Sequence, residues 1–132
     1  MDEVRAQQQI GAIRACETFG LVRQVTPASG TMVTLPYTVE LNDIPMMMVQ
    51  YHSGLELYDR AMDQFQRLSA EAEHSARVMA IAVHPYITGV PHRIGYFEQL
   101  LDALGSQPGV VFWTGVQILD WYLETRGAPP SA

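Results

Sequence analysis

The chain has 132 residues, 48% of them hydrophobic, with one cysteine and a formal net charge of -6. That length suits one domain, and that apolar content favours a folded chain over a disordered one. Its 8 Lys and Arg residues are scattered, which argues against a nucleic-acid partner, and Cys16 alone excludes an internal disulfide.

The first residues, Met1-Asp2-Glu3-Val4-Arg5, are polar and followed by Gln7-Gln8-Gln9, so they form no signal peptide. No apolar run nears the roughly 20 residues needed to span a bilayer, and the expected setting is soluble and cytoplasmic. Residues 3–18 carry helix formers with a modest apolar face at Val4, Ala6, Ile10 and Ile13, and Gly20 would end that helix. Residues 21–36 are β-branched in part and broken by Pro27 and Ser29-Gly30, which predicts a short strand, a turn and a second strand at Met32–Leu35. The stretch from Pro36 to Pro45 fits neither period and reads as an ordered loop. Met46–Met48 reads as core filling, because thioether side chains adapt to irregular gaps.

Ser53 with Glu56 forms a capping box, and Leu55, Tyr58, Met62, Phe65 and Leu68 recur at helical spacing behind it. Val78-Met79-Ala80-Ile81-Ala82-Val83 is continuously apolar, which predicts a strand covered on both faces, as in a parallel sheet. Ile94, Phe97, Leu100, Leu101 and Leu104 mark another helix, with Pro91 near its start and Gly105 past its end. Val110-Val111-Phe112-Trp113 predicts a further strand, and Thr114 with Gln117 caps a last helix through Leu123. Residues 78–113 then read as a right-handed βαβ crossover and the chain as an α/β fold. Trp113 and Trp121 read as core and helix-face packing. The tail 127–132 reads as a frayed end.

The chemically informative residue is His84, directly after the apolar run 78–83. In α/β folds the C-terminal ends of strands are where active sites form, and imidazole exchanges protons near neutral pH. The plain alternative is a structural histidine. Asn42-Asp43 can simply build the turn between Leu41 and Pro45, although loops on rigid α/β scaffolds often carry sites. Glu40 is a weaker candidate of the same kind. Arg93 either binds a substrate oxygen or carboxylate or caps its own loop. His92 reads as structural or exposed. The four histidines, His52, His74, His84 and His92, have no helical ligand spacing, and no Asp-Asp pair follows an apolar strand.

The residues Ala82-Val83-His84-Pro85, Gly89, Pro91-His92-Arg93, Gly109-Val110-Val111-Phe112, Thr114-Gly115, Ile118 and Asp120-Trp121-Tyr122 resemble the end of the polysaccharide deacetylase (NodB-homology) family, in the branch with allantoinase-like and peptidoglycan-deacetylase-like proteins. Leu35 to Pro45 resembles an upstream segment of that branch, so the resemblance covers roughly residues 31–123. It implies a (β/α) barrel that hydrolyses C–N bonds, often acetamido groups of amino sugars, with a divalent metal, commonly zinc. It also implies that His84 is the acid for the leaving nitrogen and that Asn42 and Asp43 line the pocket, binding substrate or orienting His84; Glu40 and Arg93 complete the candidate substrate contacts. The metal-binding motifs of that family are not found here, and no metal ligand is assigned.

The expected organisation is therefore a helix and lead-in over 1–30, the C-terminal half of a barrel over 31–126, and the tail. Met1 falls where an intact member would be in mid-domain, as a truncated reading frame, gene fragment or split protein would give. An open half-barrel exposes a strand edge, so the alternative to a hydrolase of small-molecule or sugar amides is a non-catalytic α/β module that binds a partner or forms a homodimer.

Overall fold

The computed structural model describes residues 23–25, 32–73 and 76–126. The helix expected over 3–18, Cys16, His74 and the tail lie outside the described residues. In chain order the elements are strands β1 (Arg23–Val25) and β2 (Met32–Thr34), a π-helical segment (Ile44–Val49), and helices α1 (Gly54–Glu71), α2 (Ile94–Gly105) and α3 (Gly115–Arg126). They fall into two compact units, one over Tyr37–Val111, the other built from residues up to Pro36 and from Phe112 onward. No described helix is long and apolar enough to cross a membrane.

In the unit over 37–111, α1 begins at the predicted cap. The Ser53 N–H donates to Glu56 Oε2 at 2.6 Å, and the Glu56 N–H donates to Ser53 Oγ at 3.3 Å. Two of the orphan donors of the first turn are thereby satisfied, which typically contributes about 1 kcal/mol. The buried line of α1 runs through Gly54, Leu57, Ala61 and Leu68. Leu55, expected on that face, is 46% exposed. The reason is a close approach at the helix start: a Cβ on Gly54 would lie 2.9 Å from Cδ2 of Tyr96 in α2. With Gly54 facing the partner helix, Leu55 is turned about 100° away.

Two apolar clusters hold this unit. Leu41, Ala61, Leu100 and Leu104 form one, with Tyr58, Met62, Phe65, Met79, Ile81 and Phe97 packed against it. Met46, Met47, Leu57 and Ile87 form the other, lined by Ile81 and Val83. Two of the three adjacent methionines fill core as expected, while Met48 is 54% exposed. The loop expected over 36–45 gives way at its end to the wide turn of the π-helical segment, where the Gln50 N–H reaches back to Pro45 O at 3.0 Å.

The expected parallel sheet is present only as a single contact. Residues 78–83 are half-buried and outside any helix or strand, and one parallel bridge joins Asn42 to Ala82. The Ala82 N–H donates to Leu41 O at 2.9 Å and the Asp43 N–H donates to Ala82 O at 3.1 Å. Residues 110–113, expected as a strand of a βαβ crossover, pair with no strand among the described residues. A continuous apolar run becomes a strand only where another backbone supplies the ladder, so the described unit is mainly helical, with a single parallel bridge among the described residues where the sheet of a partial barrel was expected.

In the other unit, β1 and β2 pair antiparallel with Gln24 opposite Val33, in agreement with the two strands expected over 21–36, while the turn expected between them lies outside the described residues. Helix α3 starts at the predicted second capping box: the Thr114 N–H donates to Gln117 Oε1 at 2.8 Å and the Gln117 N–H to Thr114 Oγ1 at 3.3 Å. Trp113 and Trp121 lie against one another, ring centroids 6.3 Å apart, but stay 43% and 37% exposed, so neither is core.

Candidate active site

The bridge between Asn42 and Ala82 sets the site. Because the two backbones run parallel there, the residues just beyond the bridge, Asp43 on one and His84 on the other, come side by side although 41 positions separate them. Asp43 is fully buried. Its Oδ1 lies 2.7 Å from the Nδ1 of His84, and its Oδ2 accepts both the His84 backbone N–H and the Thr88 hydroxyl, each at 2.7 Å. No buried polar side-chain atom among the described residues lacks a partner.

Burial by itself pushes the Asp43 carboxyl upward, since it disfavours the charged form. The hydrogen bonds from the His84 backbone, the His84 ring and the Thr88 hydroxyl outweigh that effect and hold the carboxyl below its ordinary range. Asp43 is therefore an anion near neutral pH, and an anion 2.7 Å from Nδ1 requires a proton on that nitrogen. The side chain of His84 is one-third exposed, and no described residue hydrogen-bonds its Nε2. Tyr86, itself exposed, leans on the imidazole with ring centroids 5.5 Å apart. A buried carboxylate holds one imidazole nitrogen while no described residue engages the other, an arrangement that can give or take a proton at Nε2.

The other predicted residues are dispersed around this pair. Asn42 builds the turn: its Oδ1 accepts the Ile44 N–H at 3.0 Å, and its Nδ2 donates to the Tyr37 hydroxyl at 3.3 Å. Glu40 faces away into a surface pair with Arg60 at 3.7 Å. Arg93 donates to Ile87 O at 3.2 Å and so ties down the loop that carries His84. His92 is exposed. His52 belongs to a separate polar group, its Nδ1 accepting from Arg60 at 3.1 Å. Thr88 was not singled out from the sequence. Its only sequence signal is a position four residues after His84, the spacing at which a turn folds a side chain back.

A catalytic metal would need about three protein ligands. Among the described residues no three His, Cys, Asp or Glu side chains converge. Both Asp43 oxygens are occupied by protein donors, and His84 offers a single nitrogen. The described residues thus do not fit a resident metal ion.

Comparison with known proteins gives a consistent picture. No family model matches the chain. A Schizosaccharomyces pombe protein assigned by name to the polysaccharide deacetylases is 30% identical over 89 residues, which is 66% of this chain and 28% of that protein. Two solved structures share the fold, each with a TM-score of 0.75 and 23% identity over 83% of this chain. One is PuuE allantoinase, of which the chain covers 37%; the other, of which it covers 38%, is a Pseudomonas aeruginosa PAO1 protein assigned by name to the polysaccharide deacetylases. The chain thus spans well under half the length of each of these relatives.

Proposed function

We propose that the chain is a polysaccharide deacetylase-like (NodB-homology) protein, as its similarity to the Schizosaccharomyces pombe protein supports, and that it carries the proton-donating part of a hydrolase of non-peptide C–N (amide) bonds, with His84 as the acid for the leaving nitrogen. The observation that carries this reading is the 2.7 Å pair between His84 Nδ1 and the buried Asp43 carboxylate. As imidazolium, His84 bears a proton on each nitrogen. The Nδ1 proton is held by Asp43, so only the Nε2 proton can be given away. When the C–N bond breaks, its electron pair goes to nitrogen, which takes the Nε2 proton. His84 is left neutral with Nδ1–H still bonded to Asp43. A general acid of this kind typically contributes about 10²–10⁴-fold in rate.

Asp43 acts on the ring rather than on substrate in this reading, because it is enclosed and fully bonded. Arg93 keeps guanidinium N–H groups beyond the one on Ile87 O and is the remaining candidate for a substrate oxygen. Asn42 and Glu40 are weaker candidates, since the turn and Arg60 engage them.

The direct test is the protonation state of His84 in the chain itself. Nitrogen-15 NMR of neutral His84 should find the proton on Nδ1; a predominant Nε2–H form would remove the acid role. Incubated with zinc and an N-acetylated amino sugar, the chain alone should release no acetate, because the described residues supply no ligand set. Zinc-dependent acetate release would overturn that statement.

A second reading has its own observation. Residues 78–83 make one parallel bridge and pair with no other strand among the described residues. A partner strand or second copy added there would make the chain a binding module. Light scattering after size exclusion separates the two: a monomer at all concentrations counts against self-pairing.

A further inference from the structure

Thr88 is 3% exposed, and its hydroxyl is spent on Asp43 Oδ2 at 2.7 Å. The His84 backbone N–H donates to the same oxygen, also at 2.7 Å. That leaves Oδ1 for the ring nitrogen. A carboxylate turns easily about its last torsion, whose energy profile is broad. Two donors on one oxygen stop that rotation and keep the other oxygen on Nδ1. Thr88 is itself held in place: its own N–H and that of Ile87 both donate to His84 O at 2.9 Å. Gly89 completes the turn, since a Cβ there would collide with the Pro85 carbonyl.

We propose that Thr88 is a positioning residue for His84: its hydroxyl locks the Asp43 carboxylate so that the neutral ring keeps its proton on Nδ1 and turns Nε2 outward. The proposal rests on the reading of His84 as the acid. Among the described residues the groups against the ring are the Asp43 carboxylate and the Tyr86 ring. Tyr86 meets the imidazole through its ring alone, so the tautomer is decided by Asp43, and Asp43 is oriented by Thr88. In water the neutral histidine ring favours Nε2–H, so a loosened carboxylate would show as a return of that form.

The experiment uses the full chain labelled with nitrogen-15 and reads the tautomer of the neutral His84 ring. Wild type should show Nδ1–H alone. Thr88→Val, which keeps the shape and deletes the hydroxyl, should show a mixture with Nε2–H and a faster-exchanging Nδ1 proton. Thr88→Ser, which keeps the hydroxyl, should restore the single form. A folded Thr88→Val chain with an unchanged tautomer and exchange rate overturns the proposal. If Thr88→Val does not fold, Thr88→Ser decides: a single Nδ1–H form supports the proposal and a mixture overturns it. A wild-type ring already in the Nε2–H form would defeat the acid reading itself. Wild-type Nδ1–H with an indifferent Thr88→Val would defeat this inference alone.

Discussion

Asp43→Ala should cost about 3–5 kcal/mol of stability, the range seen when one partner of a buried charged pair is removed. The three donors that converge on this carboxylate, each at 2.7 Å, explain the size. Truncation strands the buried Thr88 hydroxyl and the His84 backbone N–H, each at about 1–3 kcal/mol. A whole domain is stable by only about 5–15 kcal/mol, so the variant should unfold at a much lower urea midpoint. Asp43→Asn separates charge from shape. With two donors on the Oδ2 side, the amide oxygen must take that place, and its NH₂ then points at Nδ1. His84 Nδ1 has to become an acceptor, and the neutral proton moves to Nε2. The Asn variant should therefore be milder in urea but reversed in tautomer. An Asp43→Ala loss below about 1 kcal/mol, the worth of one ordinary hydrogen bond, would contradict the central role given to this carboxylate.

Acidification attacks the same three bonds. Asp43 sits below the reference value of 3.8 in the folded chain. A carboxyl lowered on folding contributes stability that is complete above its unfolded pKa and is lost as the pH falls through the folded one. Below about pH 4 the wild type should lose thermal stability more steeply than Asp43→Asn as the pH falls. Other carboxylates titrate in the same window in both proteins, so the difference between the two curves isolates Asp43. Parallel curves would mean that its charge does not stabilise the fold.

The residues readable in advance were those whose partners lie within one helical turn. Ser53 with Glu56 and Thr114 with Gln117 form reciprocal caps because each pair is three positions apart, and such short loops close whatever surrounds them. The apolar spacing of α2 located Leu100 and Leu104 in the core for the same reason. His84 was legible by its place after the apolar run 78–83, and the resemblance gave it a role. Leu55 shows the limit of spacing: the period was right, but a close contact at Gly54 decided which face turned inward.

The partnership of Asp43 with His84 was open in the sequence, where Asn42-Asp43 fitted a turn as well as a pocket. The folded chain divides the pair, giving the turn to Asn42 and the histidine to Asp43. That division depends on the bridge between Asn42 and Ala82, a long-range pairing with no local signature. Thr88 was invisible for the same reason, because a threonine in a loop is ordinary until a buried carboxylate lies beside it. The strands expected at 78–83 and 110–113 fail in the other direction. Their apolar runs mark segments able to join a sheet, whereas a ladder forms only where another backbone runs alongside. Local sequence thus determined where helices start, and tertiary structure decided which carboxylate and hydroxyl surround His84, because only the folded path brings side chains 41 residues apart within 2.7 Å.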